Sequence, residues 1–150
     1  TDKPVSAPKS LGRSLNFAAS AASAVANKLL EPHGLSLAQW AVLVSLWRNG
    51  ALGVKEIAAL TGNAPPAASR IVDRMVQGGL VVRRPDEVDR RAVVVDLSER
   101  GESLRALQDI YNDVNRILLD DLSTEDAERL FYLLDRVDSA GRDWLSDGGR

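Results

Sequence analysis

Residues Pro65 to Gly101 constrain the fold more than any other stretch: PPAASRIVDRMVQGGLVVRRPDEVDRRAVVVDLSERG. Ala68, Ile71, Val72, Met75 and Gly79 recur at helical spacing and form one apolar stripe. Ser69, Arg70, Asp73, Arg74 and Gln77 are left on the opposite face. Gly78-Gly79 ends that helix, because glycine enters the left-handed turn after a helix without steric penalty. Two β-branched runs follow, Leu80 to Val82 and Ala92 to Leu97, and read as strands. Between them lies RRPDEVDRR, where Pro85 and Asp86 favour a turn. The stretch therefore encodes a helix with an arginine-bearing outer face, then a hairpin with an arginine-rich tip.

The preceding residues, GVKEIAALTGNAPP, predict a short helix over Val54 to Leu60. Ile57, Ala58 and Leu60 are expected to face inward, and Gly62 to end the helix. Pro65 or Pro66 suits the first turn of the next helix, where no backbone N–H is needed. Two short helices joined by a tight glycine-containing turn form a helix-turn-helix, whose second helix enters the major groove of DNA.

Charge divides unevenly along the 150 residues, although the net charge is only −2. Residues 1–64 carry +3, residues 65–100 carry +1 and residues 101–150 carry −6. Such asymmetry lets one face meet phosphate while another avoids it, and it also fits a solvated acidic helix face. No apolar stretch approaches the roughly 20 residues that span a bilayer. The opening TDKPVSAPKS has no signal-peptide pattern, so residues 1–9 are expected to be a flexible tail. The absence of cysteine fits a cytoplasmic location and removes thiol chemistry. One histidine and no cysteine argue against a structural zinc site. GALG and GNAP are not phosphate loops, because no G-K-[ST] follows. Neither a metal, a cofactor nor enzymatic activity is expected.

Long helices are predicted at both ends. Ser10 to Leu30 places Leu11, Leu15, Ala18, Ala22, Val25 and Leu29 at alternating spacings of four and three, a pattern suited to helix–helix packing. Glu31-Pro32-His33-Gly34 ends it. Ser36 caps the next helix with Gln39 as capping-box partner. Leu37, Trp40, Ala41, Val44 and Trp47 are its expected buried stripe. After the hairpin, Ser98 is expected to cap one continuous helix of about 22 residues. Its stripe is Leu104, Leu107, Tyr111, Val114 and Leu118. Ser123 opens the last helix, with Ala127, Leu130, Leu134, Val137, Gly141 and Trp144 as its stripe.

The pieces EIAALTG, SRIVDRM, GLVVRRPDEVDRR and VVVDLSERG resemble the MarR family of bacterial transcriptional regulators. The wing with D-R-R, a strand and then L-S-x-x-G is the most specific part, and the resemblance extends less specifically from Ser10 to Leu145. It implies a mainly α (α+β) fold, a winged helix-turn-helix at residues 36–97. Long N- and C-terminal helices, 10–35 and 98–147, would form a dimerisation region within one compact domain. It also implies a homodimeric regulator, a repressor by expectation, on a pseudo-palindromic operator in double-stranded DNA. Asp89-Arg90-Arg91 matches the family's D-x-R pattern, in which Arg91 enters the minor groove and Asp89 orients it.

Ser69 and Arg70 lie in the first turns of the recognition helix, where groove entry occurs. Arg70 can meet guanine O6 and N7 bidentately, or a phosphate alone. For Arg74 the options are a phosphate, Asp73 or a wing carboxylate. Arg83, Arg84 and Arg90 are expected along the DNA backbone. Pro65, Pro66 and Ala67 stand where relatives usually carry polar side chains, which leaves few hydrogen-bonding groups there. That departure keeps a second class open, a winged-helix interaction module without operator binding. The resemblance further implies a small aromatic or phenolic acid as effector. His33, Trp40, Trp47 and Tyr111 are the candidate lining, with Arg48 or Lys28 for its carboxylate, although each tryptophan also suits a core position.

Overall fold

The computed structural model describes residues 9–149. The expected tail at residues 1–9 lies outside them apart from Lys9. Two compact units divide the chain between Tyr111 and Asn112.

The first unit opens with α1 (Leu11–Leu30), whose first turn is capped by the Ser10 hydroxyl accepting from the Arg13 amide at 3.2 Å. A 3-10 turn, Glu31–His33, follows, and Gly34 closes it at φ 71°. Then come α2 (Leu37–Asn49), α3 (Val54–Thr61) and α4 (Pro65–Gln77). The predicted Ser36–Gln39 capping box is formed, with both hydrogen bonds at 3.2 Å. Strands β1 (Val81–Pro85) and β2 (Val93–Leu97) pair antiparallel, from Val81 opposite Leu97 to Pro85 opposite Val93. Leu52 adds a one-residue bridge to Val95 through hydrogen bonds of 3.0 and 2.7 Å. The core gathers Leu30, Val42, Leu43, Leu46, Ile57, Val72, Met75, Val81 and Val95, all nearly inaccessible to water. Each such side chain contributes about 1.5–3 kcal/mol by leaving water.

Three expectations are corrected. In α2 the buried residues are Val42, Leu43, Ser45, Leu46 and Trp47, while Leu37, Trp40, Ala41 and Val44 are only half-buried. That helix is apolar nearly all round, so periodicity alone does not select its inward face. In α3, Leu60 is 57% exposed instead of facing inward.

The third correction concerns the helix after the wing. Ser98 does cap α5, but α5 spans only Glu99–Ser103. A 3-10 segment, Arg105–Asp109, and then α6 (Ile110–Leu118) replace the continuous helix. Side chains and carbonyls of α2 intervene. The Trp47 indole N–H donates to the Gly101 carbonyl at 3.0 Å, and the Trp40 indole N–H donates to the Leu107 carbonyl at 2.8 Å. Arg105 Nη1 donates to the Trp47 carbonyl at 2.8 Å. The two indole contacts engage carbonyls, those of Gly101 and Leu107, that an uninterrupted α-helix uses in its own ladder. Arg105 also hydrogen-bonds Glu102, which holds that carboxyl below the usual glutamate range.

The second unit holds the rest of α6 and α7 (Thr124–Ser146). The Ser123 hydroxyl caps α7 by accepting from the Asp126 amide at 3.1 Å. No residue of α7 is buried. Leu130, Leu134, Val137 and Trp144 of the expected stripe stay exposed, together with Phe131, Tyr132, Leu133 and Leu145.

Candidate nucleic-acid interface

Helix α4 buries Ala68, Val72 and Met75 and presents Arg70, Asp73, Arg74 and Gln77 to solvent, with Ser69 half-buried. Its N-cap, Ala64, makes no side-chain cap, and Pro65 and Pro66 are exposed. The C-terminus is closed more tightly. The Gly79 amide donates to the Val76 carbonyl at 3.1 Å and the Leu80 amide to the Met75 carbonyl at 2.9 Å. Gly79 sits at φ 73°, the left-handed conformation this closure requires. The Ser98 hydroxyl donates to the Gly79 carbonyl at 2.5 Å, and Arg100 Nη1 donates to that of Gly78 at 2.8 Å. The L-S-x-x-G segment thus fastens the end of α4.

The hairpin differs from its sequence-based outline in one consequential way. β1 continues to Pro85, so Arg83 and Arg84 stand in the paired ladder and not in the tip. Arg83 pairs with Asp73 of α4. Arg84 pairs with Asp96 of β2, its Nη2 at 3.0 Å from the carboxylate. Arg74, for which Asp73 was one expected partner, has no ion-pair partner among the described residues, nor do Arg70, Arg90 and Arg91.

The tip is ordered by its own carboxylates. Asp86 Oδ1 accepts from the Val88 amide at 3.3 Å, and Asp89 Oδ1 accepts from the Arg91 amide at 3.1 Å. The Asp86 amide donates to the Ala92 carbonyl at 3.0 Å and closes the loop. Asp89 therefore holds Arg91 by its backbone, and neither carboxylate forms an ion pair with the neighbouring arginines among the described residues. Arg90 and Arg91 project from the tip as exposed cations. Four unpaired arginines, two on α4 and two on the wing tip, make up the cationic surface of this region.

The candidate effector residues are only partly brought together. Trp40 and Tyr111 line one open groove of about 410 Å³ with Val44, Arg48, Leu60 and Thr61. Trp47 lies in the core, and His33 is exposed in its 3-10 turn and does not line this groove. Lys28 lines a separate depression with Asn27 and Glu31 and lies 3.6 Å from the Glu31 carboxylate. Leu60 and Thr61 were not anticipated in the groove, because Leu60 was assigned to the core. Among the described residues no group of three His, Asp or Glu is placed to hold a metal ion, and no helix is long and apolar enough to cross a membrane.

Helix-turn-helix, two-stranded wing and cationic outer surface together define a winged-helix DNA-binding protein. Residues 35–93 match the model of the MarR family. The HTH-type transcriptional regulator YwoH of Bacillus subtilis is 32% identical over 108 residues, 72% of this chain and 79% of that protein. Mutant MarR from E. coli complexed with operator DNA superposes with a TM-score of 0.79 at 27% identity, covering 85% of this chain and 92% of that one. A probable transcriptional regulator from Pseudomonas aeruginosa superposes with the same score at 30% identity, covering 86% and 97%. This chain belongs to the MarR family, and it is a DNA-binding transcriptional regulator, not an enzyme.

Proposed function

We propose that the protein is a cytoplasmic homodimeric repressor that binds a pseudo-palindromic operator and is released by a small aromatic or phenolic acid. One observation carries the DNA-binding part of this proposal. Arg70 and Arg74 of α4 and Arg90 and Arg91 of the wing tip, on the two elements a winged helix presents to DNA, are exposed and make no ion pair among the described residues. In this arrangement Ser69 and Arg70 enter the major groove, Arg74 and Arg90 meet phosphates, and Arg91 enters the minor groove. A narrow A·T-rich minor groove favours such an arginine through its enhanced negative potential.

The exposed apolar residues support the homodimer: Leu11 and Phe17 on α1, and in the second unit Ile117, Leu118, Leu130, Leu134 and Val137 on α6 and α7, are large apolar side chains left in water that a partner could cover. A two-fold dimer places its recognition helices about 34 Å apart, one DNA turn, or a multiple of it. The groove holding Trp40, Tyr111 and Arg48 supports the effector, since it pairs aromatic walls with a cation suited to a carboxylate. Such a ligand releases DNA only by binding the DNA-free form more tightly, and operator must then weaken the ligand by the same factor.

Binding to operator DNA across a salt series tests the proposal. Log K should fall linearly with log salt, by about 0.9 per phosphate neutralised. Salt-independent or absent binding by the folded protein would refute it. Tryptophan fluorescence titration with aromatic acids, with and without operator, tests the effector.

A further inference from the structure

We infer that Arg83 and Arg84 are positioning residues, Arg83 bracing the wing against the recognition helix and Arg84 bracing the hairpin itself, and that neither is a phosphate contact. The inference rests on the DNA-binding surface proposed above and refines it. In an antiparallel pair, directly opposed residues share a face, and successive residues alternate between faces. Val81, Arg83 and Pro85 thus share a face with their partners Leu97, Val95 and Val93. Val81 and Val95 are fully buried on that face. Arg83 consequently leaves the sheet on its core side, at the outer margin, and its guanidinium meets Asp73 on α4.

Arg84 leaves on the other face, beside Asp96 in the opposing strand. Its Nε donates to Asp96 Oδ2 at 3.1 Å, and its Nη1 donates to the Pro85 carbonyl at 3.2 Å. Asp96 is itself fixed, because its Oδ1 accepts from the Leu97 amide at 2.8 Å. One arginine thus ties β1 to α4, and the next ties β1 to β2. The two elements that present Arg70 and Arg91 are joined side chain to side chain. Such a brace fixes the distance between major-groove and minor-groove contacts before DNA arrives, so less ordering is left for the complex.

The decisive variant is Asp73→Asn. If Arg83 met a phosphate, removing the nearby carboxylate would free it and reduce repulsion of DNA, so affinity would rise or stay level. A brace predicts the opposite sign. Asp73→Asn and Arg83→Gln should each weaken operator binding, by between about two- and thirtyfold for a dimer that loses an exposed ion pair at both half-sites. The double variant should bind no worse than the weaker single one.

The slope of log K against log salt should stay at its wild-type value in Arg83→Gln, whereas loss of a phosphate contact at both half-sites would reduce its magnitude by about 1.8. In an Arg91→Ala background the effect of Asp73→Asn should shrink, since the wing then delivers only the Arg90 phosphate contact. Unchanged or tighter binding by Asp73→Asn, a shallower slope for Arg83→Gln, or an undiminished Asp73→Asn effect beside Arg91→Ala would overturn the brace while leaving the DNA interface standing. Wild-type protein without salt-dependent DNA binding would remove the interface itself, a separate result that takes the brace with it.

Discussion

Substituting Gly101 by alanine should destabilise the fold strongly, because at this position backbone meets backbone. A Cβ on Gly101 would stand 2.2 Å from the Leu80 carbonyl oxygen and 3.2 Å from Leu97 Cδ2. The Leu80 carbonyl is backbone and cannot swing aside as the Leu97 side chain can, so relief needs about 1 Å of separation between the two segments. The Leu80 carbonyl accepts the Ser98 amide at 3.1 Å, and the Gly101 carbonyl accepts the Trp47 indole N–H at 3.0 Å. A shift of that size weakens both, at about 1 kcal/mol each, on top of an overpacking penalty of about 1–3 kcal/mol. The expected total is about 3–5 kcal/mol, or a fall in Tm of about 6–20 °C for a chain of this size. Differential scanning calorimetry reads this directly. Gly12→Ala is the control, since nothing lies within 4 Å of a Cβ there, and its Tm should hold or rise. A Gly101→Ala protein melting within 2 °C of wild type would refute the close approach of α5 to the end of α4.

Arg91→Ala should weaken operator binding by about 1–3 kcal/mol, and Arg70→Ala should weaken it and, where Arg70 reads a base, relax specificity at one position per half-site. Both are read by fluorescence anisotropy. Removal of residues 123–150 deletes the whole apolar stripe of α7, so the shortened chain should sediment as a monomer or aggregate and lose operator binding; a soluble dimer would place the contacts elsewhere. Arg105 lowers the pKa of Glu102, so the stability from this pair is present above the usual glutamate range and lost as pH falls through the depressed value. The Tm difference between wild type and Glu102→Gln should therefore shrink between about pH 6 and about pH 3.

The parts of the fold written in local chemistry were legible from the sequence. Ser36, Ser98 and Ser123 all cap helices as expected, and Gly34, Gly62 and Gly79 all close turns at positive φ. The apolar stripe of α4 is buried at Ala68, Val72 and Met75. What escaped depends on long-range partners. The break after Ser103 is made by Trp40 and Trp47, more than fifty residues upstream, and no periodicity within residues 98–119 carries that information. The inward face of α2 is hidden because its apolar residues surround the helix. The ion-pair partners of Arg83 and Arg84 turned on where β1 ends. Ending the strand at Val82 puts both in a loop, whereas continuing it to Pro85 makes period-two alternation send them to opposite faces, toward Asp73 and Asp96. The exposure of Arg70 on α4 and of Arg90 and Arg91 at the wing tip was legible, because exposed residues on a motif need no distant partner to be recognised, whereas the choice among partners for Arg74 was not.

Selection of bound duplexes from a random DNA pool tests the central claim most directly, since it requires groove readout, wing contact and two-fold assembly at once. The account predicts enrichment of an inverted repeat whose half-site centres lie about 10 base pairs apart, or a multiple of that, with A·T-rich positions where Arg91 meets the minor groove. Recovery of no preferred sequence at low salt, or of a single unrepeated half-site, would contradict it.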